Sequence, residues 1–336
     1  MKKLITLLCI LLNFSFAFGQ SNINLIVPNL KDQKIDSMKA FDYSQLEMLN
    51  LNMQDTINMR FKKNNIDCYV IRFHIGKSVF NKQLWLDTGH ITVKAHLLRT
   101  NLVVDTVLNS PIYYQVQQFQ NEYFAVQKKS DSTAINQFLL RSFEQFKDNP
   151  FSITVGIYYL LHNINSKENL RLLKEKTDPQ GQKFKYYITY TNLYDRLNTL
   201  LQLEKVDLNN FKFTNTENKK SSINLKSADY TIINFWFLNN RSSMQQHQTI
   251  KQYVEKLKAK NVQLVGLSID QTPEDWNKYL TVSGITWPNY LEPSKNLLSD
   301  FLMIDNFPSY IVLNKEGKLL GTYFSFLDVM NYFKIE

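Results

Sequence analysis

Few side chains in this 336-residue sequence are equipped for covalent or metal chemistry. Two are cysteines, Cys9 and Cys68, and five are histidines (His74, His90, His96, His162 and His247). The histidines show no ligand spacing among themselves, and so few cysteines cannot complete a zinc or copper set. Neither a metal nor a cofactor is expected. Polar groups concentrate in the stretch Phe235–Met244, which runs Phe-Trp-Phe-Leu-Asn-Asn-Arg-Ser-Ser-Met. Ser243 and His247 stand four residues apart, one helical turn, a spacing from which an imidazole can approach a hydroxyl. No third orienting residue or oxyanion hole accompanies them. The plainer reading is a helix start, with Ser242 or Ser243 as N-cap and Asn240 holding the turn.

The N-terminus sets the compartment. Lys2 and Lys3, the apolar run Leu4 to Leu12 and Ala17-Phe18-Gly19 have the layout of a secretory signal peptide covering residues 1–19. That run is too short to span a bilayer, and no later run approaches about 18 apolar residues. The residues before Cys9 (Thr6-Leu7-Leu8) lack the small residue of a lipoprotein processing site, so the expected product is a soluble protein of the periplasm or cell envelope. Cys9 departs with the signal, which leaves Cys68 alone and rules out an internal disulfide even where disulfides are permitted. Cys68 lies in an alternating strand pattern, where a free cysteine behaves as a small buried hydrophobe; a reactive thiol or an intermolecular bridge is the alternative. Loss of Lys2 and Lys3 lowers the net charge from +9 to +7. The lysine pairs are short and scattered, so nucleic acid is not an expected partner.

Three regions follow. Residues 20–125 read as β, with period-two runs such as Ile23 to Val27, Cys68 to Ile75, Gln83 to Leu86 and Ile91 to Ala95 between turn formers. An antiparallel β-sandwich is expected there. Residues 126–206 read as helical: Ile135, Phe138, Leu139, Phe143 and Phe146 share one face, and Pro150 separates that helix from the apolar segment Phe151 to His162. A third helix fits Ser166 to Lys174, and a fourth Gln182 to Leu201, beyond the breaker Asp178-Pro179-Gln180-Gly181. Residues 207–336 alternate strand and helix, the pattern of an α/β domain. Thr231 to Phe237 and Val262 to Ile269 read as buried central strands, Ser243 to Lys260 as an amphipathic helix between them, and Pro273 as the first residue of another helix. Ser309 to Asn314 and Lys318 to Phe324 form a hairpin.

The order of these last elements resembles the TlpA/ResA-like branch of the thioredoxin superfamily over about Asn210 to Ile335. The residues that carry the likeness are Phe211-Lys212-Phe213, Ile233-Asn234-Phe235-Trp236, Val265 to Asp270, Trp276 with Gly284 to Pro288, and Phe307-Pro308-Ser309. The segments Leu84 to Val93 and Val107 to Pro111 are similar to the β-sandwich domain that precedes thioredoxin-like domains in exported Gram-negative proteins, with Asn109 where that family has glycine. The resemblance implies a thiol–disulfide oxidoreductase whose Cys-x-x-Cys positions fall on Asn240 and Ser243. It also implies that Pro308 is the cis proline beside the active site.

An amide and a hydroxyl cannot exchange with disulfides. The first expectation is therefore a redox-inactive protein that binds a peptide or protein partner with Trp236, Asn239, Asn240, Arg241, Ser242, Ser243, Phe307 and Pro308. Two other readings fit the sequence. One is a divergent thiol–disulfide oxidoreductase acting through Cys68 or a partner's thiols. The other places the binding function in the N-terminal region and makes the C-terminal domain structural.

Overall fold

The computed structural model describes residues 21–336 apart from Gln45, Lys63, Asn64, Lys77, Ser130 and residues 294–296. The expected signal segment and its cleavage site lie outside the described residues. The chain divides into two units; the first runs to His162 and includes Leu173–Tyr194, and the second comprises Asn163–Leu172 and Asp195–Glu336.

The first unit opens with eight strands: β1 (Ser21–Ile26), β2 (Ser37–Asp42), β3 (Met48–Leu51), β4 (Thr56–Phe61), β5 (Asp67–Ile75), β6 (Ser78–Leu86), β7 (His90–Leu98) and β8 (Asn101–Leu108). They form two four-stranded sheets, ordered β4-β1-β7-β8 and β3-β2-β5-β6. Alternation builds the core: Ile57, Met59 and Phe61 of β4 point inward while Thr56, Asn58 and Arg60 remain exposed. Inward residues of both sheets, among them Ile23, Leu25, Val93, Ile71 and Phe73, join one apolar cluster. One pairing departs from the antiparallel expectation, because β1 runs parallel to β7. The whole second sheet is threaded between those strands in sequence, which supplies the long connection a parallel pair needs.

The β region also ends earlier than its sequence suggests. β8 stops at Leu108, and Pro111 stands at the start of α1 (Pro111–Gln127), a 17-residue helix. Proline fits that place because its missing N–H would have no intrahelical partner. There follow α2 (Ser132–Gln145), α3 (Phe151–His162), α4 (Lys167–Thr177), α5 (Gly181–Phe184) and α6 (Ile188–Gln202). Asp131 caps α2 by accepting from Thr133 N and Ala134 N. The fourth helix expected from Gln182 is thus two helices, interrupted at Lys185–Tyr187.

The second unit holds a seven-stranded sheet ordered β10-β9-β13-β12-β11-β14-β15. Its elements are β9 (Phe213–Asn215), β10 (Lys220–Ser221), β11 (Tyr230–Trp236), α7 (Arg241–Lys251), α8 (Val254–Ala259), β12 (Val262–Ser268), α9 (Pro273–Val282), β13 (Asn289–Leu291), α10 (Leu298–Phe301), β14 (Ser309–Asn314), β15 (Leu319–Tyr323) and α11 (Phe326–Phe333). β11 lies parallel to β12 and antiparallel to β14. Both faces of β11 are covered, with Ile233 and Phe235 in one apolar cluster and Ile232 in another, which explains a continuous rather than alternating apolar run. The outer edge of the sheet is also occupied. Asn165 accepts from Thr322 N at 2.7 Å and donates to Thr322 O at 2.8 Å, so one side-chain amide satisfies both backbone groups of that β15 residue.

Candidate functional site

The C-terminal end of β11 delivers the chain into a tight turn before α7. Trp236 is the last strand residue and is fully buried. Leu238 N–H donates to the Asp270 carboxylate at 2.8 Å, which ties the turn to the end of β12. Asn239 takes a left-handed conformation with φ 64°, a region asparagine tolerates better than most side chains. Asn240 is extended and caps α7: its Oδ1 accepts from Ser243 N at 2.8 Å. This corrects the expected N-cap. Ser242 and Ser243 lie inside the first turn, and the amide oxygen of Asn240 is the acceptor that reaches the orphan N–H.

The other end of the same amide crosses to a second loop. Asn240 Nδ2 donates to Phe307 O at 3.3 Å, and the Phe307–Pro308 peptide bond is cis. The Phe237 and Phe307 rings meet edge to face at 5.3 Å and 83°. The structure thus brings Asn240 onto the backbone of Phe307, the residue before Pro308. The accessible part is smaller than expected: Asn239, Arg241 and Ser242 are exposed and Asn240 and Phe307 half-buried, whereas Trp236, Ser243 and Pro308 are buried and present no side-chain surface to a partner.

Ser243 and His247 do not form a nucleophile–base pair. Ser243 Oγ is buried and has no hydrogen-bond partner among the described residues. His247 is committed elsewhere, with Nε2 at 3.3 Å from Asn234 Nδ2 and Nδ1 at 3.1 Å from the Tyr279 hydroxyl. Both ring nitrogens are thus occupied by polar partners, Nε2 by the Asn234 amide and Nδ1 by the Tyr279 hydroxyl. The imidazole packs against Trp236 at 4.6 Å and Trp287 at 5.8 Å. Burial, with a smaller contribution from Lys251, lowers its pKa to about 4. It is neutral at physiological pH and acts as a wedge under the first turns of α7. Sequence reasoning missed Asn234 and Tyr279 as its partners. The available signal was a lone amide inside the apolar run Ile232-Ile233-Asn234-Phe235-Trp236.

Cys68 sits on β5 in the other unit and is buried. Burial, then the neighbouring Asp67, pushes its thiol pKa well above the usual range. A thiol held protonated is a poor nucleophile, which weighs against redox chemistry through Cys68. No group of three histidine, cysteine or acidic residues among the described residues is placed to hold a metal ion. Among the same residues no helix is long and apolar enough to cross a membrane.

Comparison with known proteins bears on the second unit. A family model described as thioredoxin-like matches residues 228–319. The C-terminal domain is thioredoxin-like. Solved structures similar to it include the thioredoxin domain of a thiol-disulfide oxidoreductase from Bacteroides vulgatus, at 21% identity and a TM-score of 0.34 over 37% of this chain and 89% of that one. StoA from Bacillus subtilis is 19% identical, with a TM-score of 0.32 over 37% of this chain and 95% of its own. A putative thiol:disulfide interchange protein DsbE from Chlorobium tepidum is 19% identical, with a TM-score of 0.35 over 40% and 95%. No match was found among curated proteins. The thioredoxin-like domain of this chain contains no cysteine at all, since Cys9 and Cys68 both precede it.

Proposed function

We propose that this is an exported thioredoxin-like protein of the cell envelope that performs no dithiol exchange and binds a peptide or protein segment at the α7–Pro308 surface. The observation that carries the reading is the double engagement of Asn240. In dithiol exchange the corresponding position must supply a thiolate that attacks and leaves. Here its side chain is a strut, spending Oδ1 on the helix end and Nδ2 on the loop carbonyl. The accessible remainder consists of Asn239, Arg241 and Ser242 beside the paired Phe237 and Phe307 rings, polar groups next to an apolar edge. Such a mixture suits recognition, in which apolar contact gives affinity and a few hydrogen bonds give orientation. Two measurements test the proposal. The purified chain is expected to show no turnover in insulin reduction or scrambled-ribonuclease assays, and turnover in either sinks it. A binding partner isolated by cross-linking from Asn239 or Ser242 is expected to lose affinity on Arg241→Glu and to keep it on Cys68→Ser; dependence on Cys68 instead would return the function to the thiol.

A further inference from the structure

The β3-β2-β5-β6 sheet turns a one-sign surface away from the core. Met38 and Ala40 of β2, Leu49 of β3, Ile71 and Phe73 of β5 and Leu84 of β6 pack inward. Alternation therefore turns Lys39, Phe41, Arg72 and His74 outward, and the outward positions of the four strands include no acid among the described residues. One end of this face is closed, where Cys68 and Val70 are buried and Trp85 meets the Phe151 ring edge to face at 5.2 Å. The other end is open, with Met48 57% and Val79 50% exposed. Strand pairing there sets Asn50, Lys39, Arg72 and Asn81 side by side, one from each strand. Lys39 and Arg72 are thus direct cross-strand neighbours, a placement of like charges that weakens a sheet. Neither forms an ion pair among the described residues. The bordering acids are turned elsewhere: Asp36 accepts from Gly76 N, Glu47 accepts from Lys62 N, and Asp42 is buried on the core side.

We propose that this face binds an acidic segment of another polypeptide, with a carboxylate on the Lys39–Arg72 pair and an apolar neighbour on Phe41 and Met48. Charge complementarity identifies the occupant, because a carboxylate between the two cations turns the repulsion of the bare sheet into attraction. Arg72 is positioned for it. Its Nε donates to Asn81 Oδ1 at 2.8 Å, and its Cζ lies 5.1 Å from the centre of the Phe41 ring. With Nε engaged and the side chain braced on that ring, the two terminal nitrogens are left for a forked contact with a carboxylate. The apolar part comes from the next cross-strand pair, Phe41 and Met48, about 7 Å along the strands. A sulfated sugar would leave those side chains in water, so cations beside apolar groups favour a peptide. The four strands measure about 14 Å across, the reach of about four extended residues.

Fluorescence anisotropy of the full chain with a short labelled peptide alternating glutamate and leucine tests this. Binding is expected, weakening as salt is raised, and the same peptide with glutamine for glutamate should bind about tenfold more weakly. Arg72→Gln should also cost about tenfold, and Arg72→Lys should recover only part of it, since an ammonium lacks the fork. Lys39→Glu separates binding from folding. It exchanges a like pair for an opposite one across the strands, so it should abolish peptide binding while raising the melting temperature followed by circular dichroism. Loss of binding and stability together would mean that the cations serve the sheet, and overturns the proposal. So do equal affinities for the glutamate and glutamine peptides, or an affinity for dextran sulfate that falls with Arg72→Gln while that for the peptide does not.

Discussion

Acid should weaken the thioredoxin-like domain through His247. Its pKa is lowered from 6.5 to about 4 in the folded protein, chiefly by burial. The unfolded chain therefore takes up the proton first as pH falls, and stability drops wherever the unfolded state binds more protons. The contribution is complete above pH 6.5, declines between 6.5 and about 4, and is spent below that. At 1.36 kcal/mol per pKa unit the whole decline amounts to about 3 kcal/mol. Glu292 lies in the same unit with its pKa raised by burial, and it works in the opposite sense. The informative quantity is thus the difference between the protein and His247→Gln at each pH. Urea titrations would follow tryptophan fluorescence in a Trp85→Phe background, which leaves only Trp236, Trp276 and Trp287 of this domain as reporters. The stability advantage of histidine over glutamine should shrink by about 3 kcal/mol from pH 7 to pH 4. Parallel curves for the two proteins would refute the reasoning, because a ring hydrated in the folded state would show no such difference.

Asp67 makes the mirror-image case in the first unit, since its pKa is raised from 3.8 to about 6, first by burial. Its folded form prefers the proton, so that unit should lose about 3 kcal/mol as pH rises from 3.8 through 6, and Asp67→Asn should flatten the dependence of its melting temperature on pH. Asn240→Ala removes both the cap and the bond to Phe307 O, and should cost about 1–3 kcal/mol in denaturant titrations while speeding hydrogen exchange at Ser243 N. The pair Asn240→Cys with Ser243→Cys should form a disulfide across the first turn of α7 and gain insulin-reducing activity; a dithiol that stays inert would mean the surrounding scaffold no longer supports exchange.

The C-terminal half was legible where burial on both faces or special backbone chemistry left few options. β11 and β12 follow apolar runs with little alternation, and their observed ends fall within a residue of the expected ones. Pro308 was identifiable as the cis proline only through the resemblance of Phe307-Pro308-Ser309 to the thioredoxin-like pattern, and the Phe307–Pro308 bond is cis. What remained hidden depended on groups brought together from afar. Asn240 caps α7 locally through Ser243 N, a role that residue type offered equally to the serines, while its second bond runs to a carbonyl 67 residues away. His247 and Ser243 had helical spacing, but Asn234 and Tyr279 claimed the ring from strand and helix on either side. α1 was read as part of the β region because exposed apolar residues off its buried face, Tyr114 and Phe124, blur the helical spacing of Ile112, Val116 and Phe119. The parallel β1–β7 pair could not be inferred from alternation, which is the same for either strand direction.

The amide of Asn165 on Thr322 has a practical side. It belongs to a ten-residue piece, Asn163–Leu172, that folds with the second unit although it is separated from the rest of that unit in sequence. A chain cut to begin at residue 207, where the α/β pattern starts, would lose that amide and leave β15 with open hydrogen-bonding groups. Bare edges of this kind recruit strands from other molecules. Asn165 stands nearly fifty residues before the first strand of that unit, Phe213–Asn215, and any fragment made for study should carry it.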